Sequence, residues 1–387
     1  MAMVPPIAGR IIKLNLILVL FLSLGNLFAQ EKSLPIRVNI FNDAPSLHFK
    51  AKGFYEVIDP KKNEILYRGK NLNAVITPGK GSISIGASKM RYTNLFIKAH
   101  DSDAITINGR VFRGNIRIIN KGNNALLVVN YLDLEDYIKG ILYHEVSHYW
   151  PYEALKAQAV VCRTYALYQI KENKARDFDL TADIYSQVYG GRTSERYRTN
   201  KAVKYTTGQV LIFKGKIFPA YFHSCCGGHT EDASLLWNTD IAPLKGVVCN
   251  FCKESPHFNW STSLSTDEII KKLSGSGRKL EDVKEIVAVG ENPSGRIINV
   301  QIVSEKKEVK TPAKDFRYAL GPNLIRSTKF SVRKEGDKFV FDGIGWGHGA
   351  GMCQWGAYFM AKDGYNYQQI LDFYYPGAKL SLISDLL

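Results

Sequence analysis

The sequence predicts an α+β fold: a β-rich N-terminal half, then a helical segment and further mixed strands. Three observations carry this prediction. Apolar residues alternate before Asn130, they recur at spacings of three and four after it, and short strand-like runs return beyond residue 209. The chain has 387 residues, 45% of them apolar, so it can bury a substantial core. A wholly disordered chain is excluded.

The first 29 residues have the composition of a secretory signal. Arg10 and Lys13 precede an apolar run from Leu14 to Phe28, and the small Ala29 follows it. The run is shorter than the roughly 20 residues that a bilayer requires, although a retained anchor helix is the alternative. We therefore expect segment 1–29 to be a cleaved signal peptide. The mature protein is expected to be periplasmic or extracellular, with no membrane span.

The chain is basic, with a formal net charge of +15. This charge favours anionic partners through long-range attraction, and both cell-wall polymers and nucleic acids are anionic. Export argues against nucleic acid. The basic residues are also scattered, and they form no groove with interleaved aromatic residues. We therefore expect an envelope polymer as the partner and no nucleic acid.

Residues 30–130 are predicted to form the β-rich part. Residues 105–112 alternate around the dipeptide Asn108-Gly109, which is a strong signal for a β-hairpin. A second alternating run, Asn115 to Ile119, ends before a polar turn. Because acids and histidines are not clustered here, we assign this part to scaffolding rather than chemistry.

Residues 131–387 are predicted to form the catalytic α+β part. Asp133 or Asp136 can cap a helix whose apolar stripe continues to Glu145, and Pro151 is placed for the first turn of a second helix. Strands are expected at residues 209–213 and 217–222, joined by a turn at Gly215, and a glycine-dense segment covers residues 343–351.

Glu145 is the first candidate for chemistry. A carboxyl group in register with an apolar helix face is partly desolvated, which raises its pKa and lets it hold a proton near neutral pH. The same position also suits a structural ion pair with a buried arginine or lysine. Periodicity alone leaves both interpretations open.

A set of motifs resembles the stage II sporulation protein D family. The motifs follow one another over about two-thirds of the chain: residues 134–140, Glu145, 150–159, 163–166, 186–190, 207–211, 221–224, Gly227, Gly228, Thr230, 345–349, 354–357 and 374–377. The resemblance implies a lytic transglycosylase that cleaves peptidoglycan glycan strands between MurNAc and GlcNAc and leaves 1,6-anhydroMurNAc ends. A related branch of the family comprises enhancers of cell-wall amidases, which makes an amidase a further expected partner.

The resemblance places the catalytic acid, and then base, on Glu145, and this chemistry needs no cofactor. Asp183 and Glu231 are weaker candidates for stabilising the transition state. The substrate-binding candidates come from the matched motifs and the glycine-rich loop: Gln158, Arg163, Gln187, His223, Ser224, His348 and Gln354. Trp355 offers a sugar-stacking face. Arg163 is equally suited to a buried ion pair, and Gln158 and Gln187 to bonds that orient Glu145.

A rival interpretation uses the same segment. His144, Glu145 and His148 spell the HExxH pattern of zinc peptidases, in which two histidines one helical turn apart bind the metal. Pro151 follows too closely to leave much helix after His148. The pattern explains three residues, whereas the family resemblance explains many, so the peptidase is the weaker hypothesis.

Four of the six cysteines are close in sequence. Cys225, Cys226, Cys249 and Cys252 have spacings that suit either a structural zinc site or two disulfides. Cys162 and Cys353 are most simply small buried residues. Some family members carry His and Cys metal ligands just before the Gln-Val-Tyr motif, where this chain has Tyr185 and Ser186. Any zinc must therefore bind at the four-cysteine cluster.

Overall fold

The computed structural model describes residues 34–100, 105–183, 186–237, 239–277 and 280–386. The expected signal segment 1–29 lies outside these residues. From Pro35 onward the described chain forms one compact unit of mixed helices and strands, so the predicted α+β class with a β-rich N-terminal half is confirmed. Within the described ranges, none of the helices has the length and apolar character needed to cross a bilayer.

A large sheet occupies the N-terminal part. Its strands before the first helix are β1 Pro35–Ala44, β2 Leu47–Asp59, β3 Glu64–Gly79, β4 Ser82–Ile85, β5 Ser88–Met90, β6 Asn94–Ala99, β7 Ile105–Ile107, β8 Arg110–Phe112, β9 Asn115–Asn120 and β10 Leu126–Asp133. The short β11, Leu180–Thr181, joins it by parallel pairing with β1. The strand order is β11-β1-β10-β9-β6-β2-β3-β4-β5, and the β7–β8 hairpin pairs with β2.

The alternation in the sequence explains this sheet. In β9 every second residue is buried, including Ile116 and Ile118. Asn108 and Gly109 have φ angles of 48° and 82°, as a two-residue hairpin turn of type I′ requires. The predicted hairpin is therefore confirmed. β10 is buried at nearly every position, and it leads directly into the first helix.

Three helices follow the sheet: α1 Leu134–Glu145, α2 Tyr152–Glu172 and α3 Tyr197–Tyr205. The Asp133 side chain accepts from the Glu135 N–H and so caps α1 as predicted, and Pro151 immediately precedes α2. Three strands come next: β12 Gln209–Phe213, β13 Lys216–Ile217 and β14 Phe222–His223. The predicted continuous strand over 217–222 is wrong. Pro219 has no N–H to donate to a ladder, and the chain there runs irregularly between β13 and β14.

The C-terminal region contains a small layer with its own core. It comprises β15 Asn259–Ser265, α4 Thr266–Gly275, β16 Glu285–Glu291, β17 Ile297–Val303, β18 Glu308–Pro312, α5 Ala313–Leu320, β19 Phe330–Glu335 and β20 Lys338–Ile344. Trp260, Phe316 and Phe341 lie in its core. The sequence patterns did not predict this separate core, whose residues come from segments spread between Trp260 and Phe341.

The chain then returns to the helical region. Its last elements are β21 Met352–Cys353, α6 Gln354–Lys362, α7 Tyr367–Tyr374 and β22 Lys379–Leu382. β21 pairs in parallel with β14, which places Cys353 opposite His223. α2, α6 and α7 pack around a core that contains five of the cysteines: Cys225, Cys226, Cys249, Cys252 and Cys353. After β21, the first residue of α6, Gln354, bonds to the backbone of Glu145 at the end of α1.

Candidate active site

Glu145 is the last residue of α1. The helix buries Ile138, Ile141 and Leu142 on the face that packs into the protein, and Glu145 follows on that face. At the next residue, Val146, the backbone is extended and the helix ends. The carboxyl group thus sits at a helix terminus, partly buried, with an apolar turn on its N-terminal side.

Burial raises the pKa of Glu145 from 4.5 to about 7, and a hydrogen bond from the Val188 N–H opposes the rise. Among the described residues no arginine or lysine forms an ion pair with it. Its titratable neighbours are Tyr137 and Cys162, and burial keeps the pKa of each well above its ordinary value. The carboxyl group is therefore surrounded by neutral groups, and it can gain or lose a proton near neutral pH.

Two glutamines connect Glu145 to other helices. The Gln354 Nε2 atom donates to the backbone carbonyl of Glu145 at 3.1 Å and to Gln158 Oε1 at 3.4 Å. Gln158 in turn donates to the Cys162 Sγ atom at 3.2 Å. Both glutamines are buried. Gln158 was predicted to contact substrate or to bond to Glu145, and Gln354 to contact substrate. In the structure Gln354 bonds to the Glu145 backbone, and Gln158 bonds to Gln354.

Gln187 bridges α1 and α2. Its Oε1 atom accepts from the Tyr137 hydroxyl at 3.1 Å, and its Nε2 atom donates to the Cys162 carbonyl at 3.5 Å. It is 1% exposed and directly precedes Val188. Gln187 therefore fixes the loop whose N–H group reaches Glu145, and it is not itself open to a ligand.

Arg163 has a structural role. Its guanidinium is fully buried and forms two 2.7 Å bonds to Glu135, and it also donates to the carbonyl of Gln209. These bonds leave it no surface for a ligand. The expectation that Arg163 binds substrate is therefore corrected. Its guanidinium instead forms the ion pair that holds α2 against α1.

His348 lines a pocket with Trp237, Arg317 and Tyr318. Its Nδ1 atom accepts from the Ala350 N–H at 3.1 Å, so the ring proton is on Nε2. Burial, with Arg317 and then Arg296 nearby, lowers the pKa of His348 to about 3. The ring is therefore neutral at physiological pH, and it also forms a hydrogen bond with the backbone of Phe222.

His223 and Ser224 differ in exposure. The His223 Nδ1–H donates to the Ala350 carbonyl at 3.1 Å, while Nε2 is buried without a partner. Burial holds the pKa of His223 well below its usual range. Ser224 is partly exposed, and its carbonyl accepts from the Trp355 N–H at 3.0 Å. The histidine is a second neutral imidazole, 5.6 Å from the ring of His348.

The two weaker acidic candidates, Glu231 and Asp183, differ in burial. Glu231 is 1% exposed, and its carboxylate accepts from Ser294 at 3.0 Å and from Asn292 at 2.5 Å. This saturated, buried carboxylate is structural, so its proposed role at the transition state is corrected. Asp183 is exposed and accepts from the Thr181 hydroxyl at 2.9 Å.

The HExxH pattern does not form a metal site. His144 shares a 2.5 Å hydrogen bond with Ser194, and His148 comes after the end of the helix. The two histidines are therefore not one helical turn apart. In the part of the chain that the structure describes, the group of side chains suited to hold a metal contains cysteines alone.

One of the four cysteines predicted to bind a metal is replaced by another in the structure. All six cysteines are buried and free, and the four sulfurs that meet belong to Cys226, Cys249, Cys252 and Cys353. Cys353 takes the place expected for Cys225, because the parallel pairing of β14 with β21 brings it to the cluster from far along the chain.

The sequence predicted Trp355 as a sugar-stacking face, but it did not reveal the aromatic surface that Trp355 forms with Trp150 and Tyr358. The rings of Trp150 and Trp355 are 5.0 Å apart, and Tyr358 lies 5.2 Å from Trp150 and 5.1 Å from Trp355. All three are partly exposed. Trp150 and Trp355 stood in the recognised motifs. Their meeting depends on α6 packing against α2, which no local pattern reveals.

Comparison with known proteins identifies the family of this chain. A family model described as stage II sporulation protein matches residues 122–213. Stage II sporulation protein D of Bacillus subtilis is 32% identical over 269 residues, which are 65% of this chain and 76% of that protein. The chain belongs to the stage II sporulation protein D family. The segment that the family model matches contains α1 and α2, and with them Glu145, Gln158, Arg163 and Gln187.

Two other relatives extend the match. An uncharacterized protein of Brachyspira hyodysenteriae is 32% identical over 359 residues, 92% of this chain and 95% of that protein. The protein named amidase enhancer in Bacillus subtilis is 29% identical over 289 residues, which cover 63% of this chain but 40% of that protein. A second family model, described as a domain of unknown function, matches residues 243–351, which include the small layer with its own core. The family membership expected from the motifs is confirmed.

Proposed function

We propose that this protein is an exported lytic transglycosylase that cuts the glycan strands of peptidoglycan. The observation that carries the proposal is the Glu145 carboxyl group, whose pKa burial raises to about 7 without an ion-pair partner among the described residues. Such a group is a good acid when protonated and a good base once it has lost the proton. The signal-like segment 1–29 and the basic charge of +15 support export and an anionic wall polymer as partner.

The proposed reaction uses the Glu145 carboxyl group twice, first to donate a proton and then to accept another. Glu145 donates its proton to the oxygen that links MurNAc to GlcNAc, the bond from the MurNAc C1 atom to that oxygen breaks, and GlcNAc leaves with a 4-hydroxyl group. The carboxylate then accepts the proton of the MurNAc 6-hydroxyl as that oxygen bonds to C1. The products are a 1,6-anhydroMurNAc end and a protonated Glu145, and no water is consumed.

The surroundings of Glu145 suit both halves of this cycle. At pH 7 about half of a group with a pKa of about 7 holds its proton. Tyr137 and Cys162 stay neutral, so no neighbouring charge favours one form. Gln354 holds the Glu145 backbone and Val188 reaches the carboxylate, which fixes the direction in which the proton is presented.

Two features favour a sugar chain as the ligand. Trp150, Trp355 and Tyr358 offer partly exposed aromatic rings of the kind that pack against the apolar faces of sugars. His348 offers a neutral imidazole at a pocket that Trp237 also lines. Ser224 is the further predicted contact that remains partly exposed. We propose these groups as the glycan contacts, and Gln158, Gln187 and Gln354 as residues that position Glu145.

The proposal is tested by digesting purified sacculi with the wild type and with Glu145→Gln and identifying the products by mass spectrometry. We expect anhydro ends from the wild type and a loss of about a thousandfold or more in the variant, since one group serves as acid and as base. Glu172→Gln is the matched control, because Glu172 is likewise the last residue of a helix but is exposed. Equal activity of wild type and Glu145→Gln would overturn the proposal.

An amidase enhancer is the second candidate, and the 29% identity to the protein of that name favours it. Such a protein would bind sacculi and accelerate an added cell-wall amidase while releasing no anhydro ends. The same digestion separates the two, because stimulation that survives Glu145→Gln requires no proton transfer by this residue.

A further inference from the structure

Four buried thiols from three separate segments converge at one point. Cys226 follows β14, Cys249 precedes the short 3₁₀ helix Phe251–Glu254, Cys252 lies within that helix, and Cys353 ends β21. Their four Sγ atoms all lie within 4.8 Å of one another, and each residue is 0% exposed. The Cys226 and Cys252 sulfurs are 3.4 Å apart. A tetrahedral ion with metal–sulfur bonds of about 2.3 Å requires sulfurs separated by about 3.8 Å, so a single ion fits between them.

The charges around the thiols favour an anionic centre. Arg296 is 1% exposed and donates to the Cys226 carbonyl at 3.1 Å, while its Nε and Nη1 atoms have no hydrogen-bond partner. Lys329 donates to the Gly227 carbonyl at 3.1 Å. Both cations attract the Cys226 sulfur, and the buried Glu231 offsets one of the two positive charges. Four thiolates around a divalent cation carry a net negative charge, which the remaining positive charge stabilises.

The hydrogen bonds at Cys353 also suit a thiolate. Its Sγ atom accepts from the Cys226 N–H at 3.2 Å and from the Gly356 N–H at 3.3 Å. It stands at the N-cap of α6, where the helix terminus presents unpaired N–H groups. Two backbone donors on one buried sulfur stabilise its negative charge.

We propose that Cys226, Cys249, Cys252 and Cys353 bind one Zn²⁺ ion in a closed structural site. Zinc prefers thiolate ligands in a tetrahedral arrangement, and four sulfurs leave no open position for water or substrate. The site is therefore not catalytic. Cys225, the vicinal residue, is outside the set although it is equally buried.

The proposed zinc site lies next to a residue that supports Glu145. Cys353 is followed directly by Gln354, whose side chain donates to the Glu145 carbonyl at 3.1 Å. Cys353 also lies opposite His223 in the β14–β21 pair. An ion at Cys353 therefore holds the start of α6 and makes Gln354 a rigid support for Glu145. The metal would tie the C-terminal region of the chain to the end of α1.

The first experiment measures metal in the full-length protein purified without added metal or chelator. We expect about one zinc ion per chain by elemental analysis, and less than about a tenth of that in Cys249→Ser and Cys353→Ser. Cys225→Ser is the matched control and should keep its zinc. Equal amounts of zinc in all variants would overturn the ligand assignment, and one iron per wild-type chain would overturn the choice of metal.

A second experiment uses only the wild type, so it holds if the variants do not fold. A thiol-specific mercurial should release one zinc ion to a colorimetric chelator, and reloading with Co²⁺ should give the intense visible absorption of a tetrahedral cobalt–thiolate centre. Metal-free protein whose intact mass shows two disulfides among the four cysteines would overturn the proposal. Neither readout depends on glycan cleavage, so the zinc site and the proposed enzyme activity can fail independently.

Discussion

Replacing Glu145 by Gln should stabilise the protein, and the gain should grow with pH. Glutamine imitates the protonated carboxyl group at every pH. In the wild type, folding raises the pKa from 4.5 to about 7, so the folded state disfavours the ionised form. Below about pH 4.5 the Glu145 side chain is neutral in the folded and the unfolded state, so it does not lower the free energy of unfolding. This part of the stability is lost as the pH rises through about 7.

The size of the effect follows from the shift. Each pKa unit corresponds to about 1.4 kcal/mol, so ionisation of Glu145 costs the folded wild type up to about 3 kcal/mol at pH 8. At pH 4 the cost is a few tenths of a kcal/mol at most. Tyr137 and Cys162, the titratable neighbours, remain neutral across this range because burial raises the pKa of each.

The assay is urea denaturation of wild type and variant at several pH values between 4 and 8. We expect the difference in unfolding free energy to rise from near zero to about 3 kcal/mol in favour of Glu145→Gln. Glu172→Gln, at the exposed end of α2, controls for the loss of one charge. A difference between Glu145→Gln and wild type that stays constant with pH would refute the reasoning, because it would mean that burial does not raise the pKa.

The same structure makes three further predictions. For the wild type, kcat/KM on soluble glycan strands should fall about tenfold per pH unit above pH 7, since Glu145 must start protonated; a flat profile up to pH 9 would contradict this. Arg163→Met should cost about 3 kcal/mol or more in urea denaturation by leaving Glu135 unpaired, and combining it with Glu135→Gln should recover part of that loss. His144→Ala and His148→Ala should keep anhydro-end release within about threefold of wild type, as neither is a metal ligand; cleavage of stem peptides by the wild type that both variants abolish would support the peptidase instead.

The local elements were predictable because their signals are local. Alternation and the Asn108-Gly109 dipeptide predicted the hairpin, and the stripe from Leu134 predicted α1 with Glu145 at its end. The raised pKa followed from the same stripe, since a carboxyl group on an apolar helix face loses its hydration.

The remaining features depend on contacts between distant segments. The sequence around Arg163 is compatible with a ligand contact and with an ion pair to Glu135. Only the packing of α1 on α2 shows that the ion pair forms. Cys353 joins the thiol cluster through the pairing of β21 with β14, more than a hundred residues apart in sequence. The two cores of the C-terminal half could not be predicted either, because each of them gathers residues that are far apart in sequence.

The central claim is that Glu145 transfers one proton out and one back while no water enters the products. Digestion of sacculi in ¹⁸O-labelled water, followed by mass spectrometry of the glycan ends, tests it most directly. The account predicts anhydro ends with no ¹⁸O from the wild type and none of these products from Glu145→Gln. Reducing ends that carry ¹⁸O would contradict it, because they would show that water, and not the MurNAc 6-hydroxyl, attacks the sugar.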